Sequence, residues 1–168
     1  AEERFKIAEK IVKKAGEYGI RKENVFIDCL VLTVSAQQAE VQETLKAVRM
    51  VKEKLGVKTL LGVSNISFGL PNRKIINETF LALALANGLD LPIINPNENG
   101  MIRVIDSYNV LYNYDKGSEY YIKNYADVII ESSTEVKKDK NKPISSESTE
   151  HDLKYIVIKG LKEEAKSE

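Results

Sequence analysis

The sequence predicts an α/β fold built on parallel strands, and three observations carry that expectation. Three apolar runs begin at Val25, Thr59 and Leu91, and each follows a helical pattern that stops at a glycine: Gly19, Gly56 or Gly88. The runs are nearly continuous in apolar residues, as expected of parallel strands buried on both faces. Their separation of roughly thirty residues is that of βα units in a barrel or a doubly wound sheet.

The elements follow in order. Phe5, Ala8, Ile11, Val12, Ala15 and Tyr18 recur at three- and four-residue steps and predict a first helix, already in phase at the start of the chain, with no Met and no capping residue before it. A strand is expected over Val25-Phe26-Ile27-Asp28-Cys29-Leu30-Val31-Leu32. A second helix runs from about Val41 to Leu55 on the face set by Leu45, Val48, Val51 and Leu55, and hands over to a strand at Thr59-Leu60-Leu61-Gly62-Val63-Ser64-Asn65. The third helix covers about Ile75 to Asn87 and leads to Leu91-Pro92-Ile93-Ile94-Asn95. Two further helices are predicted from about Met101 to Tyr112 and from about Ser118 to Tyr125. Three strands cannot close a barrel and leave two long edges open, so the chain reads as part of a larger fold.

From residue 131 to 151 the composition shifts to Ser, Thr, Lys, Glu and Asp, too polar to offset its ordering entropy, and reads as a linker. Leu153, Ile156, Val157, Leu161 and Ala165 then sit at helical spacing, so 152–168 reads as the start of a following domain. The expected organisation is a partial barrel domain over 1–130, the linker over 131–151 and that helix.

Composition narrows the function. With 25 basic and 25 acidic side chains among 168 residues, no broad basic face for nucleic acid is expected. One Cys and one His cannot form an internal disulfide or a structural zinc site, and no metal is expected in this piece. No run approaches the roughly 18 apolar residues of a membrane span and no signal peptide is evident, which points to a cytoplasmic setting.

In α/β folds ligands bind at the carboxyl ends of the strands. Asp28 interrupts an apolar strand, and a buried carboxylate there needs a donor. It either accepts from a ligand edge with adjacent N–H donors, such as an amino-pyrimidine, or ties down a loop. Gly62 removes a side chain where a flat ligand could approach the backbone, while Ser64 and Asn65 bring neutral hydrogen-bonding groups. Asn65 otherwise serves as a turn or cap. Arg73 either meets an anionic ligand tail or is a solvated charge at a helix start, and Asn95 is the pocket candidate of the third strand end. Cys29, with no His beside it, reads as a small buried residue, and His151 as a solvated one.

Phe26-Ile27-Asp28, then Gly62-Val63-Ser64-Asn65-Ile66-Ser67-Phe68-Gly69, then Ala86-Asn87-Gly88-Leu89-Asp90 with Ile93-Ile94-Asn95, resemble the pterin-binding barrels of the dihydropteroate-synthase-like family. That family includes the folate domain of cobalamin-dependent methionine synthases and the methyltransferases that pass a folate methyl group to a corrinoid protein. The resemblance spans Phe5 to about Ala126, with the Gly62–Gly69 segment its most specific part. It implies that the three βα units are the last of a TIM (β/α)8 barrel, completed by a missing N-terminal half. It further implies transfer of the methyl group of 5-methyltetrahydrofolate to a reduced cobalamin carried by another domain or a corrinoid protein, with 152–168 opening the helical cap of that cobalamin module. By the same resemblance Asp28 would bind the pterin ring and Asn65 the nitrogen bearing the methyl group. Gly62, Ser64 and Phe68 would line the ring's site, with Arg73 and Asn95 as further folate contacts. The Asp-x-His-x-x-Gly cobalamin signature is absent. Alternatives are a dihydropteroate-synthase-like enzyme, against which the end of the third strand offers no Lys or Arg, and a non-catalytic barrel fragment that needs a complementing chain.

Overall fold

A computed structural model describes residues 1–126. The polar stretch 131–151 with His151, and the helix expected over 152–168, lie outside the described residues. The order is α1 (Glu2–Glu17), β1 (Phe26–Asp28), α2 (Glu40–Met50, prolonged by a π-helical turn Val51–Leu55), β2 (Lys58–Gly62), α3 (Arg73–Ala86), β3 (Leu91–Ile93), α4 (Asn99–Leu111) and α5 (Glu119–Tyr125). A 3-10 segment, Val63–Ser67, follows β2 directly.

The strands form one parallel sheet in the order β1-β2-β3, with Asp28 beside Leu60 and Gly62 beside Ile93. The helices occupy the predicted places, and Gly19, Gly56 and Gly88 each take a positive φ beyond a helix end.

The expectation of strands buried on both faces is corrected. Ile27, Thr59 and Leu61 are buried against the helices, whereas Phe26, Asp28, Lys58, Leu91 and Ile93 are exposed and Leu60 half-buried. Apolar residues occur on both sides, so the pattern reads as continuous although one face is open. The core lies between sheet and helices, where Val48, Val51, Leu61, Val63, Leu81, Ala84 and Met101 have essentially no exposure. Burying such side chains contributes about 1.5–3 kcal/mol each for the larger ones.

Beneath this core, at the amino end of β3, Asp90 fastens β2 to β3. Its carboxylate accepts from the Thr59 N–H at 2.9 Å and pairs with Lys52, while Thr59 Oγ1 donates to the Gly88 carbonyl at 2.9 Å. A buried carboxylate, Asp106 of α4, accepts from the Tyr125 hydroxyl at 2.7 Å and so fastens α5 to α4.

Candidate functional site

β1 is shorter than predicted because the chain turns at Leu30, whose φ of +60° ends the extended run. Asp28 is therefore not a buried mid-strand carboxylate. It is exposed at the carboxyl end of β1, where its Oδ1 accepts from the Leu30 N–H at 2.9 Å. Cys29, next to it, faces the other way into the core, and burial, aided by the Asp28 charge, pushes its thiol up to about 12. It is thus protonated and unreactive at neutral pH.

β2 ends at Gly62, and Ser64 and Asn65 lie on the 3-10 turn beyond it, not on the strand itself. Gly62 does not leave room for a ligand in the way the sequence suggested, because the amide of Asn65 folds back over it. A Cβ on Gly62 would lie 2.9 Å from Asn65 Nδ2. Asn65 Oδ1 is directed away from that contact, and the exposed amide makes no hydrogen bond among the described residues.

This turn is stitched to its surroundings. The Val34 N–H donates to the Ile66 carbonyl at 2.9 Å, and Thr33 and Ser35 hydroxyls both donate to the Phe68 carbonyl at 2.7 Å. Gly69, at φ +81°, packs so closely on the Ser35 hydroxyl that a Cβ would lie 3.1 Å from it. Arg73, at the start of α3, is neither a solvated charge nor a free anion receptor: its Nε donates to Ser67 Oγ at 3.0 Å and its Nη2 to the Ser64 carbonyl at 2.9 Å. The guanidinium also stacks on the half-exposed Phe68 ring, 4.4 Å from its centre.

Asn95 lies past β3, exposed, with its Oδ1 accepting from the Asn97 N–H at 3.0 Å, so it closes its own turn. The structure thus brings Asp28, Gly62, Ser64, Asn65, Phe68 and Arg73 to the carboxyl edge of β1 and β2, with Asn95 at the edge of β3. A cavity of about 590 Å³ opens beside Arg73, lined also by Ser64, Lys74, Asn77 and Glu98. Asn77 is 4% exposed and its Oδ1 has no partner among the described residues. Sequence reasoning missed Lys74 and Asn77, which read as ordinary α3 residues, and Leu30, Thr33 and Ser35, whose roles depend on the backbone path. A second hollow, about 370 Å³ between α3 and α4, includes no strand-end residue.

An exposed carboxylate and an exposed amide at the ends of adjacent strands suit an uncharged heterocycle with N–H donors. Residues 1–95 match the family of pterin binding enzymes. The chain belongs to that family. Relatives include the methionine synthases of Mycobacterium leprae (strain TN), 35% identical over 105 residues, and Mycobacterium tuberculosis (strain ATCC 25618 / H37Rv), 34% identical over 106 residues. Each alignment covers 58% of this chain and 9% of the relative. The methylcorrinoid:tetrahydrofolate methyltransferase of Eubacterium limosum is 24% identical over 127 residues, covering 74% of this chain and 46% of that protein. The chain therefore spans less than half the length of each of these relatives. Among the described residues no three His, Cys, Asp or Glu side chains converge on a metal position, and no helix is long and apolar enough to cross a membrane.

Proposed function

We propose that this chain forms part of a methyltransferase that moves the methyl group of 5-methyltetrahydrofolate to a reduced corrinoid. The observation that carries the reading is the meeting of Asp28 and Asn65 at the carboxyl ends of adjacent strands, in a pterin-binding chain similar to a methylcorrinoid:tetrahydrofolate methyltransferase. Asp28 accepts from the amino-pyrimidine edge of the pterin, with one oxygen held by the Leu30 N–H and the other without a partner among the described residues. Ser64 and Phe68 line the ring, Gly62 gives the Asn65 amide its place at the strand end, Asn95 borders the ring, and Arg73 fixes the turn that presents Asn65.

A tertiary amine leaves poorly until its nitrogen becomes positive. Asn65 Oδ1, turned away from Gly62, accepts a hydrogen bond from the methyl-bearing ring nitrogen once that nitrogen has taken a proton from solvent, and the proton stays on the nitrogen as the methyl group leaves. That hydrogen bond is made only as the nitrogen gains its proton and positive charge, so it favours the activated, protonated state on the way to the transition state over the neutral ground state. The corrinoid, held by another domain or a separate protein, supplies the nucleophile that takes the methyl group.

The open sheet face supports a half-barrel: the strand order runs without reversal, and Phe26, Leu60, Leu91 and Ile93 await further strands of a TIM barrel. We place residues 1–130 in that barrel, 131–151 in a linker and 152–168 at the start of a cobalamin module, in a cytoplasmic protein. Calorimetric titration with 5-methyltetrahydrofolate, with and without the complementing barrel half, tests the whole reading. Binding is expected only when the barrel is complete; a reconstituted barrel that does not bind sinks the folate reading.

A further inference from the structure

The backbone at Leu30 is the point of departure. A branched side chain at φ +60° crowds its own carbonyl, and only glycine adopts that conformation freely. Such strain persists where the surroundings over-determine it, and here they do: the Leu30 N–H donates to Asp28 Oδ1 at 2.9 Å, and its carbonyl accepts from the buried Thr44 hydroxyl at 3.3 Å.

Both anchors use the main chain alone, so a glycine would serve them with less strain. The leucine side chain must contribute something else. It does not serve the fold of the described residues, being 54% exposed and belonging neither to the core cluster nor to the apolar residues packed around it. It stands two residues beyond Asp28, at the strand end where Gly62 and Asn65 border the next strand.

We infer that Leu30 is a ligand-contacting residue, its isobutyl group covering one face of the heterocycle whose N–H edge Asp28 accepts. The inference rests on the folate reading above. A flat ring held by its edge leaves its faces to water. An apolar cover on one face removes that water and strengthens the hydrogen bond to the carboxylate by lowering the local dielectric.

The test is Leu30→Gly in the full chain with its complementing barrel half, read by urea unfolding and by calorimetric binding of 5-methyltetrahydrofolate. Stability is expected to hold or rise as strain is released, while Kd rises about tenfold, the share of one buried apolar side chain. Leu30→Met, which keeps an apolar cover, should bind within about threefold of the parent. Parental affinity in Leu30→Gly overturns the inference. A fall in stability overturns it too, with or without weaker binding, since the side chain would then pack on protein. A parent that does not bind the folate sinks the underlying reading instead.

Discussion

The amide of Asn65 occupies the place of the side chain that Gly62 lacks: a Cβ on Gly62 would meet Asn65 Nδ2 at 2.9 Å. The glycine is thereby tied to one rotamer of its neighbour three residues on. Because Asn65 is exposed, Gly62→Ala should displace the amide at little cost in stability. Methyl transfer should slow roughly tenfold to a hundredfold, as when a single preorganised hydrogen-bonding group is lost. Asn65→Ala should do the same, with Kd for the folate nearly unchanged. Equal losses in binding and rate would remove the transition-state role.

Arg73 supports the same turn from beneath. Arg73→Lys keeps the charge but cannot donate from two nitrogens in a fixed plane while lying flat on Phe68. The expected cost is about 1 kcal/mol in urea unfolding. Methyl transfer should slow roughly tenfold as the turn shifts. A variant with full stability and full rate would show that these contacts are idle.

Alkaline pH should weaken the fold. Burial raises Cys29 from an ordinary 9.0 to about 12; burial and the bond to Asp106 raise Tyr125 from 10.0 to about 12. Both groups are favoured in their protonated form when folded. Their contribution is therefore complete below about pH 9 and is lost as pH rises from there through 12. The urea midpoint should be insensitive to these groups below pH 9 and fall above it. Cys29→Ala should remove the first part of that decline, and an unchanged decline would exclude the thiol as its source.

Tyr125→Phe withdraws the hydroxyl from Asp106, which is 8% exposed and has no other hydrogen-bond donor among the described residues. A buried carboxylate left without a donor costs about 1–3 kcal/mol. Urea unfolding of the variant measures it. A loss below about 0.5 kcal/mol would mean that water replaces the hydroxyl.

The helices were readable because their apolar faces repeat and a glycine stops each of the first three. That the strands run parallel followed from their apolar runs and the length of the connections. The open face was not readable, since Phe26 beside Ile27 and Leu60 beside Leu61 are apolar in both directions, and only a tertiary neighbour decides which side is covered. The end of β1 was misjudged for a backbone reason: nothing in the letters Asp28-Cys29-Leu30 announces a left-handed leucine. The placement of Asp28 and Asn65 near the carboxyl ends of β1 and β2 was legible. Contacts joining residues far apart in sequence, such as Thr33 to Phe68, and the backward fold of Asn65 over Gly62, depend on a path that no local pattern encodes.

The hydrogen bonds from Thr33, Val34 and Ser35 to Ile66 and Phe68 join the loop after β1 to the turn after β2. The two segments are consequently expected to move as one plate, with Asp28 and Asn65 at the same separation before and after a ligand binds. A ligand that fits meets loops already ordered, so little conformational freedom is left to lose on association. One that is a ring atom too wide cannot be admitted by the yielding of a single loop. Discrimination among pteridines then rests on span, set when the chain folds and not when the ligand arrives.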